Sequence, residues 1–107
     1  MTRARGRGVA AIGFICLLPA CASLAPRPTA ADVARAPART PALTLTDLEQ
    51  GRTIYLRRCA SCHQPFDPAS QRADSWPHYV DKMKQRARLS DSDANRVVDY
   101  LVTMARS

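Results

Sequence analysis

Residues 57–68 read "RRCASCHQPFDP": Cys59 and Cys62 stand three apart, and His63 follows the second at once. Whatever uses that arrangement organises the fold around it, because a chain of 107 residues makes about one small domain. Three chemistries use two thiols at this spacing: a disulfide redox pair, half of a zinc site, and covalent attachment of haem. The sequence on either side weighs between them.

Upstream, "MTRARGRG" sets Arg3, Arg5 and Arg7 ahead of the apolar run "VAAIGFICLLPACA", Val9 to Ala22. A basic start, a short apolar core and small residues after it describe an export signal over residues 1–22. A permanent span needs about 20 apolar residues, and Pro19 interrupts this run. Two readings of its end stand. Leu18-Pro19-Ala20-Cys21 resembles a lipobox, which would lipidate Cys21, with Ala22 pointing to the outer membrane; Ala20-Cys21-Ala22 fits an ordinary A-x-A cleavage site. The first is preferred, although Pro19 departs from its pattern. Residues 23–42, "SLAPRPTAADVARAPARTPA", are dominated by Ala and Pro and carry no large apolar side chain after Leu24. Such a stretch buries little surface, so a flexible, disordered tether is expected there.

The formal charge of +7 is concentrated in leader and tether: residues 43–107 hold ten Lys or Arg against eight Asp or Glu. The folded part therefore lacks the basic excess of a nucleic-acid binder. Of four cysteines, Cys16 lies in the signal and Cys21 is lipidated or removed, which leaves Cys59 and Cys62. An exported chain with one close pair has no disulfide framework to build.

Residues 43–107 read as three helices. Thr46-Asp47-Leu48-Glu49 fits a capping box, opening a helix from Asp47 to Ala60 with Leu48, Gly51 and Tyr55 on one face. Gly51 costs about 1 kcal/mol against Ala inside a helix, so its functional reading is close approach of another helix. Residues 64–74 read as loop. "SWPHYVDKMKQRA" gives a second helix, Trp76 to Ala87, with Ser75 as cap, Pro77 in its first turn and an apolar stripe of Trp76, Val80, Met83 and Ala87. Ser90 with Asp93 opens a third, Asp91 to Ala105, whose apolar face is Val97, Leu101 and Met104, with Tyr100 beside it. Trp76, Phe66 and Tyr55 would anchor a thin core, and a domain this small usually needs a staple or a bound centre.

A disulfide redox pair normally sits at a helix N-terminus after a strand; here the cysteines end a helix. Structural zinc needs a second compact ligand pair, and only His78 offers a fourth donor. C-x-x-C-H is the attachment signature of haem c: Cys59 and Cys62 would add to the two vinyl groups and His63 would ligate the iron. Attachment occurs outside the cytoplasm, in agreement with the leader.

"GRTIYLRRCASCH", Gly51 to His63, and "VVDYLVTMA", Val97 to Ala105, resemble the first and last helices of small class I monohaem cytochromes c. The resemblance covers residues 43–107 and implies an all-α, three-helix domain around one covalent haem. It implies that Gly51 and Tyr55 cross Tyr100 and Leu101 at close range. Two features depart from the family: Gln64 follows His63 where Gly is common, and the usual Met-Pro loop is absent. "SWPHYVDKM" resembles the W-x(3)-V-x(2)-M pattern of some short bacterial members, which implies Met83 as distal iron ligand. His78, Met104 and an open site are the alternatives, and Met83 could simply fill core. Around a bound haem, the Pro65 or Pro68 carbonyl would accept from His63 Nδ1–H and fix the ring, and Trp76 and Arg72 would bond the propionates; Arg72 reads equally well as a solvated loop charge.

With two protein ligands the iron would exchange single electrons, at a potential raised by Met/His ligation. The implied role is a monomeric, non-enzymatic carrier in the periplasm, on a lipid anchor if Cys21 is modified. It would move electrons from a dehydrogenase or quinol oxidase to a terminal oxidase or reductase, by weak, transient encounters. An open or labile sixth position would instead imply a haem sensor or weak peroxidase, and co-purification would identify a subunit of a larger oxidoreductase.

Overall fold

The computed structural model describes residues 13, 24–38, 41–60 and 63–105. The expected leader, its end at Cys21, and Cys62 lie outside the described residues. Four α-helices are described, α1 (Ala30–Arg35), α2 (Leu45–Ile54), α3 (Trp76–Lys84) and α4 (Asp91–Met104), and no strand occurs among the described residues. Nor is any described helix long and apolar enough to cross a membrane.

The central element is α4, against which α1, α2 and α3 all pack. Ser90 Oγ accepts from Asp93 N at 3.1 Å, satisfying one of the four unpaired N–H groups of the first turn. Ala94, Val97, Tyr100, Leu101 and Met104 recur at three- and four-residue intervals, so they share one face, and all are buried.

The first helix of the haem-motif segment starts earlier than expected. Thr44, not Thr46, is its cap: Thr44 Oγ1 accepts from Asp47 N at 3.1 Å, and Asp47 Oδ2 accepts from Thr44 N at 2.9 Å. The capping pattern occurs twice in overlapping register here, and the earlier copy also places an acid in the first turn. From Tyr55 to Cys59 the backbone widens into a π turn, with Ala60 N donating to Tyr55 O at 3.3 Å. Such single π turns frequently mark functional sites.

The close approach expected at Gly51 is present. A Cβ there would lie 2.2 Å from the Arg96 carbonyl oxygen and 2.9 Å from Tyr100 Cβ, so only glycine lets α2 meet α4 at this distance. One turn on, the rings of Tyr55 and Tyr100 meet at 6.1 Å and 42°.

The regular part of α3 ends at Lys84 rather than Ala87, and the chain closes through a capped turn. Leu89 N donates to Lys84 O at 3.0 Å and Arg88 N to Gln85 O at 3.2 Å, the paired 6→1 and 5→2 bonds of a Schellman motif. The left-handed position falls on Arg88, φ 54°, where glycine is usual, and Leu89 is buried behind it.

The tether expected at 23–42 is corrected in part. Within it, Thr29 caps α1 through a reciprocal box with Asp32, and Asp32 is buried with Arg35 paired to it. The preceding strap is tied to the helices by its carbonyls: Arg52 Nε donates to Ala25 O and Tyr100 Oη to Pro26 O, each at 2.8 Å. Ala25 and Pro28 are buried. Small apolar side chains and satisfied carbonyls hold this segment where large hydrophobics are lacking.

Candidate functional site

Cys59 closes the π turn, half-buried, and lines an apolar cavity of about 180 Å³ together with Tyr55, Trp76, Val80, Leu89 and Leu101. The cavity is a cleft half open to solvent rather than an enclosed void. Its remaining wall is formed by Phe66, Gln71, Tyr79 and Met83. Phe66, Tyr79 and Met83 are 57%, 42% and 40% exposed, three of the four large apolar side chains left at the surface among the described residues. Apolar exposure gathered around one cavity marks a binding surface. Phe66, expected in the core, is therefore a rim residue: its loop carries it to the cavity mouth.

The elements that position this lining are short. Trp76 and Val80 point inward from α3, one turn apart, and Met83 follows on the same stripe at the cavity's open side. Leu101 enters from α4, and Leu89 from the capped turn after α3. The Tyr55 hydroxyl donates to Phe66 O at 2.7 Å and Trp76 Nε1 to Pro68 O at 3.0 Å, so two buried side chains hold the loop carrying Phe66 and Pro68.

Two expectations about the surroundings are corrected by these bonds. Trp76 spends its indole N–H on Pro68 O and is buried, so it has no donor left for a haem propionate. Pro68 O is in turn engaged with Trp76; the acceptor beside His63 Nδ1 is the Gln64 carbonyl, at 2.8 Å. If Nδ1 donates there, Nε2 keeps its lone pair for a metal. Arg72 forks onto Asp74, Nε to Oδ1 at 3.1 Å and Nη2 to Oδ2 at 2.9 Å, and is 83% exposed. That bond holds the Asp74 carboxyl below its usual range, and Arg72 does not line the cavity.

The candidate distal ligands separate by position. Met83 lines the cavity with Cys59, His78 is exposed beside Tyr79 with ring centroids 6.0 Å apart, and Met104 is buried in the α4 core. His63 is exposed and lies outside the lining, with its ring 5.1 Å from the Phe66 ring that stands in it.

Electrostatics around the cavity follow from its dryness. Burial pushes the Tyr55 phenol up to about 12, with Cys59 next to it adding in the same direction. Burial likewise raises the Tyr100 phenol. Among the described residues no three His, Cys, Asp or Glu side chains gather as a metal cluster, so nothing there completes a zinc site. Cys59 stands at the C-terminal end of its helix, away from the dipole end that activates a redox thiol.

The cavity thus offers an apolar ligand aromatic and aliphatic walls with one thiol, Cys59, and one thioether, Met83, in the lining, while His63 stands outside it. Sequence reasoning missed Tyr79, Gln71 and Leu89 as lining residues; Tyr79 follows His78 on α3, and only the helix rotation brings it to the cavity. No family model matches the chain, and no curated protein or solved structure matches it significantly.

Proposed function

We propose that this chain is a monohaem c-type cytochrome acting as a one-electron carrier. The observation that carries the reading is the presence of Cys59, from the C-x-x-C-H motif, and Met83 in the lining of one apolar cavity. Cys59 and Cys62 would attach the haem covalently, and His63 and Met83 would ligate its iron. When bound, haem supplies a reversible Fe(III)/Fe(II) couple, with a potential raised by Met/His ligation. The protein's own part is to exclude water with Trp76, Val80, Leu89 and Leu101 and to leave one edge open beside Phe66, Tyr79 and Met83, where a partner can approach. The export signal read in residues 1–22 supports a periplasmic location, with Cys21 as the candidate lipid anchor, and the partners are redox proteins met transiently.

The test is the visible to far-red spectrum of the chain from residue 24 onward, exported behind a cleavable leader and matured in cells with the haem c machinery, as wild type and Met83→Ala. A weak far-red sulfur-to-iron band in the ferric wild type, lost in the variant, is the expected result. A high-spin ferric wild type without that band would favour the sensor or peroxidase reading, and a protein with no covalent haem would remove the proposal altogether.

A further inference from the structure

We infer that the Tyr55 hydroxyl is a positioning group for His63, acting through Phe66. Its role towards an iron ligand rests on the function proposed above; its role in ordering the loop does not. Tyr55 opens the π turn that ends at Cys59, so its backbone is fixed by helical bonds while its ring lies in the cavity wall, 4% exposed. From there its hydroxyl donates to Phe66 O, eleven residues along, at 2.7 Å. The bond thus bridges the whole stretch that carries Cys59, Cys62 and His63. The Phe66 ring in turn stands 5.1 Å from the His63 ring, tilted at 48°.

The far end of the loop is held at Pro68, which is buried and whose carbonyl accepts from Trp76 Nε1, but nearer His63 burial does little. Phe66 is 57% exposed and His63 is exposed, so neither is held by packing against the core. A phenol buried in an apolar wall must keep a partner or bear the cost of an unsatisfied hydroxyl, so the core enforces the bond from its own side. The chain of control runs from helix to hydroxyl to Phe66 backbone to ring contact to imidazole.

Tyr100 supplies the control. Its hydroxyl also leaves the core for a backbone carbonyl, Pro26 O at 2.8 Å, but on the strap rather than the His63 loop. Tyr55→Phe and Tyr100→Phe therefore each delete one hydroxyl from the same core, and only the first touches the loop. In the haem-free chain from residue 24, backbone ¹⁵N order parameters at residues 63, 64, 66 and 67 should fall in Tyr55→Phe, because the loop loses its tie to the cavity wall at Phe66. The nuclear Overhauser contacts between the His63 and Phe66 rings should disappear with it. Tyr100→Phe should leave both unchanged while lowering overall stability to a similar degree. In the haem-loaded protein, Tyr55→Phe should shift the reduction midpoint and Tyr100→Phe should not. Equal behaviour of the two variants in the haem-free measurements would overturn the inference, because Tyr55 would then be only a packing residue. An unchanged midpoint in Tyr55→Phe, with the loop measurably loosened, would overturn its extension to the iron. Failure of haem attachment would bear on the proposed function alone, since the haem-free arm stands without it.

Discussion

The contact at Gly51 is the sharpest mechanical statement the structure makes, and Gly51→Ala tests it. By helix propensity alone the substitution should help: alanine is favoured over glycine by about 1 kcal/mol in a helix interior. The α2–α4 crossing opposes this. The new Cβ would stand 2.2 Å from the Arg96 carbonyl oxygen and 2.9 Å from Tyr100 Cβ, where ordinary contacts begin at 3.4 Å. Neither neighbour is the free end of a flexible side chain; one is backbone and the other is the root of a buried tyrosine. The helices must therefore part by roughly 1 Å, a gap that forfeits a quarter to a half of each dispersion contact across the interface. Taking about 40 such contacts at 0.1–0.2 kcal/mol, as for one buried leucine, the loss is about 1–4 kcal/mol. Strain from overpacking adds about 1–3 kcal/mol. After the propensity gain of about 1 kcal/mol is subtracted, the net destabilisation is about 1–6 kcal/mol.

Urea unfolding followed by far-UV circular dichroism and by the fluorescence of Trp76, the single tryptophan, measures this directly. With a slope of about 1–1.5 kcal/mol per molar urea for a domain this small, the midpoint should fall by about 0.7 M or more. The neighbouring exposed Gln50→Ala serves as control and should move stability by no more than about 0.5 kcal/mol. A Gly51→Ala protein as stable as wild type, or more stable, would falsify the reasoning: it would mean that α2 and α4 do not cross at glycine distance.

Arg88→Gly should stabilise the domain by about 1 kcal/mol, since a non-glycine residue in the left-handed region costs about 1–2 kcal/mol and glycine repays part of that in unfolded-state entropy; calorimetry should show a higher Tm, and a lower one would refute the strain argument. A chain begun at residue 43 should be less stable than one begun at residue 24 by about 2 kcal/mol, the loss of the two side-chain bonds to Ala25 O and Pro26 O at about 1 kcal/mol each; equal urea midpoints would show that the strap does not dock. Tyr55 titrates near 12 in the folded chain against an ordinary 10.0. The folded state holds that proton more tightly, so its contribution is full below pH 10 and is lost as pH rises from 10 through 12. Midpoints measured in that window should fall with pH, and Tyr55→Phe should flatten the slope.

What the sequence discloses about this fold depends on which kind of force holds each part. The α4 face and the α2–α4 crossing were legible because they are written in spacing: Val97, Leu101 and Met104 at helical intervals, and a lone Gly51 inside an otherwise good helix. The association of Met83 with Cys59 was legible in the same way, since Trp76, Val80 and Met83 form one stripe and the cavity lies where that stripe runs out into solvent. Capping was only half legible. Thr44-x-x-Asp47 and Thr46-x-x-Glu49 obey one rule, and nothing in the rule ranks them.

The misses share a physical cause, which is that polar bonds from distant donors leave no periodicity behind. The segment from Ala25 to Asp32 has the composition of a tether, yet it is docked by Arg52, twenty-seven residues from its acceptor, and by Tyr100, seventy-four from its own. Trp76 is expected to bond a haem propionate, but its indole N–H donates to the Pro68 carbonyl, eight residues upstream. Phe66 was given to the core because it is large and apolar, and it stands at the rim because the Tyr55 hydroxyl holds its backbone there. In each case the side chain's chemistry was visible and its partner was not. A core this thin leans on such bonds more than a large one does, because each net hydrogen bond of about 1 kcal/mol is a larger share of a small domain's stability. At Tyr55 and Tyr100, therefore, the place of the ring is legible and the partner of the hydroxyl is not, although those hydroxyls tie the Phe66 loop and the strap to the core.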